Sequence, residues 1–246
     1  METFKQTRTW SIVALLAALL CLAGTIMAIL GTRLGWWGFR DAAGMLRWAV
    51  QAGAVLLALS AIVFVLARRA REARSQMLSG AAALLLLIPV IGIPLNRVAR
   101  PLGDPINDIT TDTANPPAFE AVIPLRPEGS NPVEYGGEAV AARQEKLYPD
   151  IGPIESPLAA ADAFARVVSV AEDMGWEVVA TDAARGVVEA VDTTRFFNYK
   201  DDIVVRIRGT AAGSRIDLRS RSRVGRSDLG KNAARIREFT ERFAAE

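Results

Sequence analysis

The sequence contains no histidine and a single cysteine, Cys21, among its 246 residues. Without an imidazole there is no Ser-His-Asp or Cys-His nucleophile, no histidine general base and no histidine-ligated metal. One cysteine excludes an internal disulfide and a multi-cysteine metal site. Lysine is also scarce, with four residues, so arginine carries almost all of the positive charge. The side-chain chemistry that remains is mainly that of carboxylates and guanidinium groups.

Charge and hydrophobicity divide the chain into two unlike parts. Residues 1–103 hold 11 basic and 3 acidic residues, whereas residues 104–246 hold 18 basic and 24 acidic residues. Hydrophobic residues make up 51% of the sequence and concentrate in three uncharged runs, near residues 10–30, 48–67 and 76–95. A helix of about 20 residues spans about 30 Å, the thickness of a bilayer core. The runs therefore predict three transmembrane helices that form a membrane anchor over residues 1–100.

Basic residues predict the orientation of these helices. Four arginines within residues 68–74 separate the second run from the third, which places that loop in the cytoplasm. The N-terminus is then cytoplasmic, and the C-terminal part lies outside. The first run is too long for a signal peptide and lacks a cleavage site before Arg33, and Leu20 before Cys21 does not fit a lipoprotein signal. A transporter is disfavoured because the runs contain no charged residue.

Residues 101–155 are rich in proline and acidic residues. Proline cannot donate to a strand ladder and interrupts a helix, so this segment is predicted to be mostly extended or irregular. Two interpretations are open. The acidic segment lies over the basic end of its own domain, or it is a mobile, solvated linker.

Residues 156–246 have the pattern of a compact α+β domain. A helix is predicted to begin with Ser156 as its cap, and a final helix near Ser227 or Asp228. Four strands with short links lie between them, which favours one antiparallel sheet with both helices on the same face. The strands are predicted at residues 176–182, 186–195, 202–208 and 215–223.

Charged and apolar residues alternate in the last two predicted strands. Ile216 and Leu218 in one strand, and Ile203 and Val205 in the other, are each followed or preceded by a charged or polar neighbour. Alternation places the apolar set toward the helices and the charged set on one exposed face of the sheet. Ion pairs between neighbouring strands there contribute about 0.2–1 kcal/mol each. A ladder of opposite charges is expected from Glu189, Arg206, Asp217 and Arg219.

The most polar stretch, residues 217–232, leaves a strand, crosses two glycines and enters a helix. Free N–H groups at a helix start and forked arginines bind phosphate or carboxylate, so one hypothesis is a site for an anion such as a lipid headgroup. The alternative is a structural loop in which Asp228 caps the helix and pairs with an arginine. The glycines match neither a Walker A loop nor a dinucleotide fingerprint. The candidate ligand-binding residues are Asp202, Arg206, Asp217, Arg219, Ser220, Ser222, Arg223, Gly225, Asp228 and Asn232.

Several short motifs of the C-terminal part have the pattern of a known family. They are Ile-Asn-Asp-Ile-Thr-Thr-Asp and Asn-Pro-Pro-x-Phe within residues 106–119, Tyr148-Pro149, Met174-Gly175-Trp176, Glu189-Ala190, Asp201-Asp202 with Val-Arg-Ile-Arg, and the stretch 217–232. On these motifs residues 104–246 resemble the bacterial and plastid family called domain of unknown function 1499. The resemblance implies that residues 107–119 pack on the sheet, and it implies no activity or ligand. The three membrane helices lie outside it.

Two classes of function follow from these observations. The first is a non-catalytic binding or accessory domain, anchored in the bacterial inner membrane and facing the periplasm, which recognises an anionic lipid headgroup or an envelope protein. The alternative is a carboxylate- or metal-dependent hydrolase in which Asp202, Asp217 or Asp228 acts with Arg206 or Arg219. The many arginines favour ionised, paired carboxylates and therefore the binding class. We expect no cofactor, no metal and no nucleic-acid partner.

Overall fold

The structure of the protein is a computed structural model that describes residues 2–92, 105–194 and 198–245. The chain forms two compact units, residues 1–100 and residues 101–246. Parts of three predictions lie outside the described residues, namely residues 93–95 of the third hydrophobic run, residues 101–104 of the proline-rich segment and Arg195 of the second strand.

Three long helices form the first unit. They are α1 (Glu2–Arg33), α2 (Phe39–Arg69) and α3 (Ala73–Leu87), and α3 continues into a π-helical turn, Ile88–Gly92. The segments that are long and apolar enough to cross a membrane are Gln6–Arg33, Phe39–Arg69 and Ala73–Gly92. The prediction of three apolar helices is confirmed, and the first two extend beyond their uncharged runs at both ends.

Small side chains lie at the centre of this helical unit. Ala18 and Ala82 are fully buried there, beside Leu86. Large apolar side chains such as Leu20 and Trp48 are instead exposed on the outer surface. Helices in lipid gain no hydrophobic free energy from associating, so small residues that allow close backbone approach form their contacts. The distribution is therefore that of a helical bundle whose outer surface meets lipid.

One antiparallel sheet and three helices form the second unit, which we call the sheet domain. The strands are β1 (Asp108–Thr110), β2 (Ile154–Ser156), β3 (Glu177–Asp182), β4 (Val187–Thr193), β5 (Lys200–Thr210) and β6 (Gly213–Ser222). The helices are α4 (Glu138–Leu147), α5 (Ala160–Asp173) and α6 (Lys231–Ala245). The strand order is β1-β6-β5-β4-β3, and β2 also pairs with β6. The predicted α+β class is confirmed.

The number of strands differs from the prediction, because the described sheet has six strands rather than four. The two additional strands, β1 and β2, have three residues each, which is too short for an alternating pattern to reveal. Both pair antiparallel with β6, so that Asp108 lies opposite Arg221 and Ile154 lies opposite Ile216. Their strand conformation therefore comes from a partner that is distant in sequence.

Two helices begin later than predicted. Ser156 ends β2 instead of capping a helix, and α5 begins at Ala160. Helix α6 begins at Lys231, after Leu229 and Gly230, whose φ angles are 57° and 80°. Such left-handed conformations interrupt a helix, so the chain turns once more before α6 starts.

The two faces of the sheet have different coverings. On one face, apolar side chains such as Ile203 pack beneath both α5 and α6, as predicted. Phe239 of α6 is fully buried in this core and stacks on Trp176, with ring centroids 5.5 Å apart. The other face carries the alternating charged residues, and residues 112–135, which follow β1, contact it in place of a helix.

Candidate functional site

The charged face of the sheet is buried, which corrects the prediction that it is exposed. Asp202 and Asp217 have no exposed surface, and Arg219 is only 2% exposed. The reason is the covering segment, residues 112–135, whose carbonyl groups and acidic side chain accept hydrogen bonds from the arginines. An irregular chain leaves many carbonyl groups without a ladder partner, which suits it to this role.

One buried carboxylate fixes the covering segment to the sheet. Glu189 of β4 accepts the backbone N–H groups of Glu120 and Ala121 at 2.9 Å each, and that of Val122 at 3.0 Å. Three hydrogen bonds to a charged acceptor satisfy this carboxylate without an arginine. Glu189 is therefore not part of the predicted charge ladder. It holds the turn that precedes the short 3₁₀ helix Ile123–Leu125.

Two arginines of β6 share the carboxylate of Asp108 in β1. Arg219 binds it as a fork, with Nε 2.9 Å from Oδ1 and Nη2 2.8 Å from Oδ2, and Arg221 contacts the same Oδ2. The Arg219 guanidinium also lies 4.8 Å from the ring centroid of Phe119 and 5.4 Å from that of Tyr135. It donates to two backbone carbonyls of the covering segment, at 2.8 and 3.2 Å. The guanidinium of Arg219 is thus fixed by a carboxylate, two backbone carbonyls and two aromatic rings.

Two further arginines share Asp202 of β5. Arg126 of the covering segment contacts one carboxylate oxygen, and Arg223 donates from Nε to the other at 2.8 Å. Arg223 also donates to the carbonyl of Leu125 at 2.8 Å. Burial lowers the pKa of Arg126, and repulsion from Arg223 and Arg221 adds to this effect against the attraction of Asp202. Because Asp202 lies directly opposite Arg221, the two groups of ion pairs are continuous.

Together these groups hold more positive than negative charge. We call them the arginine cluster, which consists of Asp108, Asp202, Arg126, Arg219, Arg221 and Arg223. Its formal charge is +2, and none of its side chains is more than 9% exposed. In the described part of the chain, the Nε of Arg221 and the hydroxyl of Tyr135 are buried without a hydrogen-bond partner.

Tyr135 remains a hydrogen-bond donor under neutral conditions. Burial and the neighbouring Asp108 raise the pKa of its phenol to about 12. Buried charges and buried donors are costly unless they are paired. A positive excess beside unused donors is therefore an arrangement that can accept an anion.

A second, more open group of ion pairs lies toward the other end of β5 and β6. Asp217 accepts from Arg206 at 2.9 Å, from Arg208 at 2.6 Å and from Arg215 at 3.1 Å. Asp112 of the covering segment contacts the same three arginines at 3.0–3.5 Å. Arg206 lies directly opposite Asp217, as the charge ladder requires. Since Arg208 and Arg215 are partly exposed, their pairs contribute little to stability.

The predicted serines lie on the opposite side of β6. Ser220 donates to the side chain of Asn232 at 2.7 Å, Asn232 donates to Ser222 at 3.1 Å, and Arg235 joins Ser220 to Asp201. The structure thus separates the predicted site residues into three places. Asp202, Arg206, Asp217, Arg219 and Arg223 are on the charged face, Ser220, Ser222 and Asn232 are beneath α6, and Gly225 and Asp228 are in the intervening loop.

The start of α6 already holds a carboxylate of the chain itself. Asp228 accepts the N–H groups of Gly230 at 2.8 Å and Asn232 at 2.7 Å. Gly225, with a φ of 87°, offers its carbonyl to the side chain of Asn131 at 2.9 Å. The N–H groups of Gly230 and Asn232 are those at the helix start that one hypothesis from the sequence assigns to an anion. Their use by Asp228 favours the structural interpretation of this loop.

Asp228 is expected to make the stability of the domain pH-dependent. Burial raises its pKa above 3.8, although its two N–H partners oppose the rise. The folded state then binds the proton more tightly than the unfolded state, so stability falls as pH rises from about 4 through the folded pKa. Relative to Asp228→Asn, the wild type should therefore lose unfolding free energy over this interval. Denaturant unfolding at a series of pH values measures the difference.

Asp150 provides a control of opposite sign. It is exposed, and its hydrogen bond to Arg237 lowers its pKa. A group with a lowered pKa contributes stability above its unfolded pKa and loses it as pH falls. Relative to Asp150→Asn, the wild type should therefore gain a small amount of unfolding free energy as pH rises from the folded pKa of Asp150 to its unfolded pKa. A constant offset between Asp228→Asn and wild type at every pH would contradict the predicted role of Asp228.

Sequence reasoning missed four residues of the arginine cluster and its surroundings. Arg221 belongs to the alternating charged residues of β6, which is a signal that it shares a face with Arg219. Asp108 lies within the Ile-Asn-Asp motif on which the family resemblance rests, which is a signal that it has a role. Arg126 and Tyr135 lie in the irregular covering segment. No periodic pattern assigns a direction to their side chains there, so the sequence offers no signal for them.

Comparison with known proteins identifies a family that has no assigned function. A family model described as "Protein of unknown function (DUF1499)" matches residues 108–243. The match begins at β1 and ends within α6, so it includes the whole arginine cluster and none of the three apolar helices. No protein with a curated function matches the chain.

Proposed function

Because the chain belongs to the DUF1499 family, whose description gives no activity, we propose a function from its own geometry. The sheet domain is a membrane-anchored, non-catalytic binding domain, and the arginine cluster is its site for an anionic group. The observation that carries this proposal is the buried charge of +2 beside the unpartnered Arg221 Nε and Tyr135 hydroxyl among the described residues.

The charge balance favours a phosphoryl group as the ligand. Removing a guanidinium from water is costly unless a partner neutralises it, and two guanidinium charges here have no carboxylate of their own. A phosphoryl dianion supplies two negative charges and several acceptor oxygens for forked donors. Free phosphate and a lipid headgroup share this chemistry.

The basic loop supports a location for this domain. The four arginines of residues 68–74 lie at the end of α2, in the link and at the start of α3, which favours a cytoplasmic location for this link. With three spans, the sheet domain then faces the periplasm from the inner membrane of a bacterial cell. In this position the sheet domain can meet an anionic lipid headgroup or an envelope protein as its ligand.

The hydrolase alternative has less support from the geometry. The carboxylates of Asp202 and Asp217 are fully buried and already bound by arginine N–H groups, and Asp228 is bound by backbone N–H groups. A general acid or base needs an oxygen within reach of its substrate. Among the described residues, no group of three His, Cys, Asp or Glu is placed to hold a metal ion.

Tyr135→Phe tests the anion site with little risk of unfolding, because it removes only the unpartnered hydroxyl. The full chain in phosphatidylcholine nanodiscs is titrated calorimetrically with inorganic phosphate. We expect wild type to bind phosphate and Tyr135→Phe to bind it about fivefold to tenfold more weakly, since one hydrogen bond contributes about 1 kcal/mol. Without phosphate, Tyr135→Phe should unfold at the same temperature as wild type or at a slightly higher one, because the variant loses a buried hydroxyl that has no partner.

Tyr148→Phe is the matched control, because Tyr148 lies beside Arg237, outside the arginine cluster. Its phosphate affinity should equal that of wild type. Repeating the titration in nanodiscs that contain phosphatidic acid distinguishes the two sources, because a bound headgroup would compete with free phosphate. No phosphate binding by wild type in either lipid, or equal weakening in both tyrosine variants, would contradict the proposal.

A further inference from the structure

A small apolar surface stands out in the sheet domain. Ile123 and Leu125 are 43% and 50% exposed, and no other large apolar side chain among the described residues of this domain is so exposed. Pro124 between them is exposed as well. We call residues 123–125 the apolar tip. Single exposed apolar residues are ordinary, but three in succession on one turn form a contact surface.

The apolar tip is fixed in position from both sides. Val122, immediately before it, is fully buried and its N–H is held by Glu189. Within the turn, the N–H of Leu125 donates to the carbonyl of Val122 at 3.1 Å. The carbonyl of Leu125 in turn accepts a hydrogen bond from Arg223 of the arginine cluster at 2.8 Å. The apolar side chains therefore point outward from a turn that is already fixed by hydrogen bonds. Binding through them costs little conformational entropy, because little of the backbone has to become ordered.

We propose that the apolar tip inserts into a lipid surface. The chain carries three helices that are long and apolar enough to span a bilayer, so the sheet domain is tethered to a lipid surface. Arg126 directly follows the tip and Arg223 binds its last carbonyl, so the positive excess of the arginine cluster adjoins it. Because Arg126 and Arg223 are themselves buried against Asp202, insertion depends on the apolar side chains of the tip, as it does for other interfacial apolar surfaces.

This inference goes beyond the binding of an anion, because insertion of the apolar tip does not require the arginine cluster to hold a ligand. The full chain is reconstituted in phosphatidylcholine and phosphatidylglycerol vesicles, in a Cys21→Ala background. An environment-sensitive fluorophore is attached at Ile123→Cys, and at Ala211→Cys as the control. Ala211 is exposed on the turn between β5 and β6, and this turn contains no large apolar side chain.

We expect the Ile123 probe to emit at shorter wavelength than the Ala211 probe and to be quenched several-fold more by lipid-borne quenchers. Aqueous iodide should quench it several-fold less. Equal quenching of the two probes by lipid-borne quenchers and by iodide would overturn the proposal. Protection of the Ile123 probe from both quenchers would overturn it as well, because a protein would then cover the tip. Tyr135→Phe should leave the Ile123 signal unchanged, which separates insertion from anion binding.

Discussion

Replacing Arg219 by alanine is expected to lower the unfolding free energy of the sheet domain by about 3–5 kcal/mol. The substitution removes the fork that binds Asp108 and leaves this buried carboxylate with Arg221 alone. It also empties the space between the rings of Phe119 and Tyr135. Since small domains are stable by about 5–15 kcal/mol, the variant should approach unfolding at elevated temperature.

Hydrogen exchange of the full chain, followed by mass spectrometry, measures this effect within the sheet domain alone. Peptides that cover β1 and β6 should exchange faster by the factor that corresponds to the lost free energy. The control is Arg242→Ala, which breaks an exposed ion pair with Glu238 on α6 and should change stability by less than about 0.5 kcal/mol. Equal exchange in Arg219→Ala and Arg242→Ala would show that the buried fork contributes nothing.

Arg219→Lys refines the same test. Lysine keeps the positive charge but cannot form a planar fork or stack in the same way between two rings. We therefore expect a loss of stability between those of wild type and Arg219→Ala. Full rescue by lysine would assign the effect of Arg219 to charge rather than to its forked geometry.

Replacing Glu189 by alanine is expected to open the covering segment, residues 112–135. The N–H groups of Glu120, Ala121 and Val122 would lose their shared acceptor, and that of Val122 is in a buried position. Unsatisfied buried groups cost about 1–3 kcal/mol each, so we expect a local loss of about 3 kcal/mol. Chymotrypsin cleavage after the buried Phe119 should then accelerate about a hundredfold, because proteolysis follows the population of the open form.

Glu120→Ala is the matched control for this cleavage experiment. Glu120 lies in the same turn, but its side chain is exposed and pairs with Arg185 on the surface. Its removal should change the rate of cleavage after Phe119 by only a few-fold. Cleavage of Glu189→Ala at the wild-type rate would contradict the role of Glu189 as the anchor of the covering segment.

The length and apolarity of the hydrophobic runs were sufficient to predict α1, α2 and α3. Alternation in β5 and β6 likewise predicted which side chains face the helices, because the pleat of a strand imposes a period of two. Ile203 and Ile216 are in the core for this reason. Strand β1 could not be predicted in the same way, because its conformation depends on β6, more than 100 residues later.

Burial of the charged face depended on information that a local pattern does not contain. Alternation separates Arg219 from Ser220, but it does not show that a segment covers one of the two faces. Packing of residues 107–119 on the sheet followed only from the family resemblance, and the position of the rest of the acidic segment was left open. The carbonyl groups that receive Arg219 and Arg223 belong to that segment. The contiguous stretch 217–232 was therefore a misleading unit for the candidate site, since successive residues of β6 point to opposite sides of the sheet.

The pairing of β1 with β6 determines when this domain can finish folding. The side chain of Asn232 in α6 donates a hydrogen bond to the carbonyl of Asn107, just before β1. The carboxylate of Asp108 is bound by two arginines of β6. The early residues therefore lack their partners until more than 100 further residues have been synthesised. Domains closed by such distant contacts fold slowly and late, and their incomplete chains expose apolar surface. Nascent chains that end before α6 should consequently depend on chaperones.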